Sequence, residues 1–343
     1  MKKLLNTLYV TNPCYFLGAS GDNITLKENG KLIQRYPLHN LEEIVVFSHS
    51  GISAELLEKC TEFSIALSIL NPYGRLNGRF IPPSEGNVLL RKKQIETVLD
   101  HSASLAISRN IIAAKIINTR NFLIRFRKQY KMRIDSDAFG NVIDHLKESK
   151  DKVLQSTSKE GLRGIEGDAQ SAYFGIFNQM ILNNKETFAF EGRNRRPPLD
   201  PVNAMLSYAY TLLALDFAGA LEAVGLDSYI GFLHTDRPGR ISLALDLEEE
   251  LRTMAVDRFV LRLINLKQLD HKDFIFQDSG AVIFTEDGRR KFLSEWQKQK
   301  YTELQHPFLQ EKISWGLVPH IQALLLARFL RGDLDQYPPF FWK

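Results

Sequence analysis

Three short stretches concentrate side chains able to do chemistry. In GLRGIEGDAQSAY, residues 161 to 173, Glu166 sits between Ile165 and Gly167, with Ala169 and Ala172 on the following turns. Such small neighbours leave space around a carboxylate. The stretch predicts a helix over 166–183, and a Glu at its start would equally well complement the positive helix N-terminus, worth about 0.3–1 kcal/mol. In YIGFLHTDRPGR, residues 229 to 240, an apolar run delivers His234 into a polar turn. An imidazole so placed is a hydrogen-bonded structural residue, a metal ligand or a general base. In LALDLEEELRTMAVD, residues 243 to 257, helical spacing puts Asp246, Glu249, Glu250, Thr253 and Asp257 on one side and Leu247, Leu251 and Met254 on another. That helix reads either as a solvated element with an acidic face and a Glu248–Arg252 i,i+4 pair, or as part of a metal site.

The metal reading follows from the order of the residues. A His just upstream of the Asp246/Glu249 i,i+3 pair is a workable half-site for a divalent ion, and Glu166 would complete it. Carboxylates with one imidazole suit Mg²⁺ or Mn²⁺, the imidazole tilting the preference toward Mn²⁺. The two cysteines, Cys14 and Cys60, are too few for a disulfide framework or a zinc finger. An ion held this way polarises a phosphate and activates a hydroxyl, so the chemistry suggested is phosphodiester cleavage or transfer.

Charge supplies a substrate class. The whole chain carries a formal +4, but residues 91–133 hold 11 Lys/Arg against 2 Asp/Glu, whereas residues 1–90 balance at 8 and 8. A basic block in a balanced protein is a footprint for a polyanion such as DNA, or else a solvated helix face. Lys115 and Arg120 belong to that block. Arg193, Arg195 and Arg196 precede Pro197-Pro198 in a loop, and Arg237 lies in the turn after His234; guanidinium groups there suit phosphate contacts. The next helix carries Asn203, Ser207 and Tyr210 as a polar stripe, suited to DNA or to hydrogen bonds between helices.

These groups need elements to hold them. At 343 residues the length suggests two domains, and 44 % hydrophobic with 24 % charged residues excludes wholesale disorder. Strands are expected at 8–11, 23–27, 31–36, 43–47, 64–70 and 76–80, with a helix over 53–63. Asn29-Gly30 and Asn71-Pro72-Tyr73-Gly74 supply turns. From Val88 the pattern is helical, with neither Gly nor Pro between Asn87 and Phe139. The boundary is placed at Pro82–Gly86, giving a strand-rich region 1–86 and a helical region 87–343. Further helices are expected over 201–224, started by Asp200-Pro201, over 245–265 and over 315–331. The Tyr337-Pro338-Pro339 end reads as an extended tail. Leu4-Leu5 after Lys2-Lys3 is too short for a signal core, and no later stretch approaches the ~20 apolar residues of a membrane span; the expected compartment is the cytoplasm.

GIEGDAQSAYF around Glu166, RRPPLDPVNAMLSYAY from Arg195 to Tyr210, GFLHTDRPGR around His234 and LALDLEEELR, taken in this order, resemble the CRISPR-associated integrase and endonuclease family, Cas1. The likeness covers nearly the whole chain, and the tail from His306 looks like the type I-C version. The resemblance implies an α+β fold, with a β-sandwich-like N-terminal domain that pairs in a homodimer and a larger all-α catalytic domain. It implies that Glu166, His234 and Glu249 coordinate the catalytic ion, Mg²⁺ or Mn²⁺, with Asp246 beside them. Some members carry Asp where this chain has Glu249, one methylene longer. The implied reaction is attack by a prespacer 3′-hydroxyl on a phosphodiester at the leader–repeat junction of a CRISPR array. The implied partners are double-stranded DNA, the small protein Cas2 and, as a processing nuclease, Cas4. Lys115, Arg120, Arg193, Arg195, Arg196 and Arg237 would position DNA phosphates. The competing functions are a DNA-binding scaffold without catalysis and a phosphohydrolase of small nucleotides.

Overall fold

A computed structural model describes residues 6–47, 51–71, 76–83 and 88–342. Residues 2–5, positions 72–74 of the expected turn and positions 84–86 of the expected boundary lie outside them. Turn chemistry and short apolar runs build β1 (Asn6–Val10), β2 (Phe16–Ser20), β3 (Asn23–Glu28), β4 (Lys31–Pro37), β5 (Leu41–Val46), α1 (Ala54–Glu62), β6 (Ala66–Leu70) and β7 (Leu76–Phe80). One sheet is the antiparallel order β2-β3-β4, and the other is β1-β5-β6-β7, with β5 parallel to both neighbours and β7 antiparallel. Asn29 and Gly30 both take positive φ, 50° and 78°, as a two-residue hairpin turn requires. Strand β2 is missing from the sequence reading because FLGAS has low strand propensity; pairing with β3 from Phe16↔Lys27 to Ser20↔Asn23 supplies what propensity lacks. Leu17, Ile24, Val46, Leu56 and Leu67 form a core shared by both sheets and α1.

Helices follow: α2 (Val88–Leu99), α3 (His101–Tyr130), α4 (Ser136–Gln155), α5 (Lys159–Gly175), α6 (Pro201–Ala223), α7 (Ser242–Leu251) and α8 (Arg258–Asn265), with a π-helical segment, Arg252–Asp257, between the last two. The chain then forms β8 (Phe274–Phe276), β9 (Val282–Phe284), α9 (Glu286–Lys300), β10 (Glu303–Gln305), β11 (Lys312–Ser314) and α10 (Val318–Arg331). The second part is therefore helical with two short antiparallel ribbons added, β8–β9 and β10–β11. Central strand β5 is buried along most of its length, as expected of a parallel strand covered on both faces. Val45, Phe47 and Leu70 belong to the same apolar cluster as the helices, and Phe47 stacks on Tyr208 of α6 at 5.3 Å. Arg79 of β7 pairs with Glu222 of α6 at 2.9 Å, and Lys300 of α9, paired with Asp216 of α6 at 2.6 Å, donates to Thr7 of β1 at 3.4 Å, so the sheet is also tied to the helices by buried polar contacts.

Two expectations are corrected here. Helix α6 is long and apolar enough to cross a membrane by length and composition, contrary to the reading that no stretch approaches this. Its most apolar window is 78 % buried inside the fold, so it is a core helix. The C-terminal end is irregular but packed. Tyr337 and Phe340 are buried, Phe340 against His306 and Trp315, and the Trp342 ring lies under Arg125 at 3.8 Å and Arg258 at 4.7 Å. Phe340→Ala should therefore destabilise the protein by about 3–5 kcal/mol in chemical unfolding, as for a core Phe; an effect within error would mean the tail carries no packing energy.

Candidate active site

Helix α7 is the centre of the site, and it has no solvated face. Asp246, Glu248, Glu249 and Glu250 are all buried, so each carboxylate needs a partner inside the fold. Asp246 finds four. Its Oδ2 accepts the N–H groups of Phe232 at 2.6 Å and Leu233 at 3.0 Å, and its Oδ1 accepts the His234 N–H at 2.9 Å and faces His234 Nδ1 at 2.7 Å. A carboxylate only accepts, so Nδ1 carries the proton and Nε2 is left with the free lone pair, the arrangement seen for metal-binding histidines. Gly231 makes this approach possible: a Cβ there would meet Asp246 Oδ2 at 2.8 Å and Ser242 at 2.9 Å. Gln94 of α2 bonds the carbonyls of Asp227 and Ile230, and Ser104 of α3 bonds that of Phe232, which fixes the loop.

Glu166 is not at a helix start. Ser158 caps α5, and Glu166 lies in the middle of that helix, which removes the helix-end explanation of its charge. Its carboxylate pairs with Lys115 Nζ of α3, and the same ammonium lies 2.7 Å from Glu249 Oε2. Glu249 Oε1 accepts from Arg252 Nη1 at 2.6 Å, while Arg252 Nε is 3.2 Å from Glu248, the expected i,i+4 pair. The guanidinium also lies over the Tyr210 ring at 4.3 Å, and the Tyr210 hydroxyl donates to Asp257 at 2.5 Å. Burial opposes ionisation of Glu249, but Arg252 and Lys115 outweigh it and hold this carboxyl well below the usual range. Burial pushes Glu248 up to about 7 against the pull of Arg252. The five residues assigned to one helix side thus divide: Asp246 faces the 231–234 loop, Glu249 faces α3 and α5, Thr253 bonds Thr119, Asp257 faces Tyr210, and Glu250 faces the tail.

Three of the residues expected to contact DNA do internal work instead. Lys115 is buried within the acidic centre. Arg120 Nε donates to the Ile143 carbonyl of α4 at 3.3 Å. Arg193 bonds Asn203 at 2.6 Å and Ser207 at 3.0 Å and lies over Tyr210, so the polar stripe of α6 anchors the preceding loop; burial lowers its pKa to about 10. Arg195, Arg196 and Arg237 are exposed. Burial lowers the Arg240 pKa, and the like charges of Arg237, Arg196 and Arg163 lower it further, which places these groups in one basic rim. Lys115 was read as a DNA contact and not as a partner of the acidic residues, and Arg252 and Gly231 were not read as site residues. A lone Lys inside the apolar run IIAAKII was the available signal for the first.

Among the described residues, no three His, Cys, Asp or Glu side chains already converge as an ion's ligands. The donor set nonetheless fits a divalent ion: two carboxylates already gather round one cation, Glu249 Oε2 is buried with the Lys115 ammonium as its partner, and His234 is oriented through Nδ1.

The sequence profile described as CRISPR associated protein Cas1 matches residues 8–298. The chain belongs to this family. It is 46 % identical over 347 residues to CRISPR-associated endonuclease Cas1 2 of Rhodospirillum rubrum and 41 % over 343 residues to CRISPR-associated endonuclease Cas1 1 of Chlorobaculum tepidum, each match covering 100 % of both chains. A Cas4 exonuclease/Cas1 endonuclease fusion of Geobacter sulfurreducens is 32 % identical over 97 % of this chain and 60 % of the fusion. Among solved structures, a casposase bound to integration product aligns with a TM-score of 0.85, at 24 % identity over 99 % of this chain and 95 % of the casposase. A Cas1 protein of Thermotoga maritima aligns at 0.81, with 23 % identity over 98 % of this chain and 100 % of that one. These structural likenesses establish the Cas1 fold.

In this Cas1 chain, Asp246→Asn must present an amide N–H₂ to backbone donors in either flip. We expect a loss of about 1–3 kcal/mol for each donor left unsatisfied, read by urea unfolding; unchanged stability would show that Asp246 does not hold the loop. Glu250 gives a pH test. Burial raises its pKa from 4.5 to about 7 against hydrogen bonds from the Phe340 N–H, Tyr337 and Gln322. Between those values the folded state holds more protons than the unfolded one, so stability falls as pH rises. Glu250→Gln should therefore gain several degrees in Tm relative to wild type between about pH 5 and about pH 8, and a constant difference would refute the assignment.

Proposed function

We propose that the chain is a divalent-metal-dependent DNA endonuclease and integrase of CRISPR adaptation, joining prespacer 3′-hydroxyl ends to the leader–repeat junction of a CRISPR array. The observation that carries this reading is the gathering of Glu166 and Glu249 round one cation, beside His234 held by Asp246 and under an arginine rim. The family's curated members named endonucleases support it, and so does the order of the motifs.

Each residue has a task in that reading. Glu166, Glu249 and His234 Nε2 would hold the ion, Mg²⁺ or Mn²⁺; Asp246 keeps the imidazole in the right tautomer and orientation. When bound, the ion supplies Lewis acidity at the phosphodiester and favours the deprotonated form of the attacking hydroxyl, from a 3′ end or from water. Arg252 holds the Glu249 carboxylate charged and aimed. Arg195, Arg196 and Arg237 would bind backbone phosphates of duplex DNA, which positions the substrate without reading its sequence. Partners in this reading are a second copy of the chain through the strand-rich domain, Cas2, and a Cas4 nuclease; the Cas4/Cas1 fusion among the relatives supports the last. The setting is cytoplasmic.

The test is strand transfer of a short duplex with 3′-hydroxyl ends into a supercoiled plasmid carrying a repeat, with Mn²⁺ or Mg²⁺ and with Cas2 present. His234→Ala should lower joining by about 100-fold or more while duplex binding is retained. Metal-independent binding without joining in wild type would instead mark a DNA-binding scaffold. Arg196→Ala and Arg237→Ala should each weaken duplex binding uniformly across sequences and reduce the salt slope by about 1; an unchanged slope would remove them from the DNA surface.

A further inference from the structure

Lys115 occupies the position that a metal ion should want. Its Nζ is shared by Glu166 and Glu249, and its side chain is only 5 % exposed. Glu249 has a second cationic partner, Arg252, but that guanidinium also pairs with Glu248 and stacks on Tyr210. The two cations therefore differ in how firmly they are held. Arg252 is planar and fixed on three sides, whereas Lys115 is a point charge on a flexible four-carbon stem whose ion pairs are with the two carboxylates themselves. The backbone beneath it is firm: the Lys115 carbonyl accepts from Thr119, Thr119 bonds Thr253, and Asn118 bonds the carbonyls of Glu250 and Phe340. The ammonium can move without the helix moving.

Resting on the metal-dependent reading above, we infer that Lys115 is a built-in counter-cation of the Glu166–Glu249 pair, which a divalent ion must displace in order to bind. In the metal-free protein it keeps two closely placed carboxylates from repelling each other in a buried setting. When an ion arrives, the same carboxylates are contested by a single and a double positive charge. The double charge wins, but against an internal competitor, so Lys115 sets how much free metal the protein needs. It is a positioning and affinity-setting residue, not a catalytic one. The contest also links metal occupancy to release of an ammonium beside the place where a DNA phosphate would lie.

Metal binding, not turnover, tests this. Mn²⁺ binding to metal-stripped wild type, Lys115→Met, Lys115→Arg and Glu166→Gln is measured by electron paramagnetic resonance of free Mn²⁺, with Tm taken in parallel. Lys115→Met should bind Mn²⁺ about tenfold or more tightly than wild type, Lys115→Arg should show no such gain, and Glu166→Gln should lose binding. Without metal, Lys115→Met should melt below wild type, and Mn²⁺ should restore it. If wild type binds, Glu166→Gln does not, and Lys115→Met binds no more tightly than wild type, the counter-cation role falls and the metal site stands. If neither wild type nor Lys115→Met binds Mn²⁺, the metal reading falls with it. Should Lys115→Met fail to fold, competitive acetylation of wild type read by mass spectrometry decides: Lys115 should react faster at saturating Mn²⁺, and an unchanged rate overturns the inference.

Discussion

Burying a helix that carries Asp246, Glu248, Glu249 and Glu250 is the constraint round which this molecule is arranged. Removing a carboxylate from water is unfavourable by several kcal/mol unless charge and hydrogen bonds replace the lost hydration. No single neighbour of α7 could supply that replacement. The 231–234 loop gives Asp246 its backbone donors, α3 gives Glu249 an ammonium, the π-helical segment gives a guanidinium, the tail gives Glu250 a hydroxyl and an N–H, and α10 gives it the Gln322 amide. The loop that satisfies Asp246 carries His234, and the Lys115 ammonium that satisfies Glu249 also holds Glu166, so the site's geometry and the fold's internal consistency have one cause.

The consequence is a division of labour among three consecutive glutamates. Glu249 is held ionised by Arg252 and Lys115, whereas Glu248 and Glu250, equally buried, are pushed up to about 7. Residue type does not separate them; the position of the cations does. The carboxylate kept charged is the one facing Glu166, and charged oxygen is what a hard divalent ion binds. Its neighbours act as hydrogen-bond acceptors that brace α7 against the tail and the Arg252 turn. Charge at the site is therefore concentrated where it can meet an ion and limited where it would only strain the core.

Much of this was legible in the sequence where the signal is local. Asn29-Gly30 demands a hairpin, Asp200-Pro201 starts α6 through the Asp200 side chain and the Asn203 N–H, and an imidazole twelve residues before Asp246 meets it after one turn. The parts that were missed depend on tertiary partners. Glu166 reads as a helix start because Gly164 and Gly167 flank it, yet α5 runs through both from its Ser158 cap. The two prolines near the end suggest a free tail, but Glu250 and Gln322 bind it. Lys115 and Arg193 count as surface charge in any composition argument. Only the fold shows that both point inward, which leaves Arg195, Arg196 and Arg237 as the exposed remainder of the arginine signal.

Crystals of the metal-stripped protein soaked in Mn²⁺ and measured near the manganese absorption edge test the central claim most directly. The account predicts one anomalous peak within bonding distance of Glu166, Glu249 and His234 Nε2, with Asp246 still on Nδ1 and the Lys115 ammonium moved off both carboxylates. A peak that excludes His234, or no peak at all with Lys115 still bridging Glu166 and Glu249 at saturating metal, would contradict it.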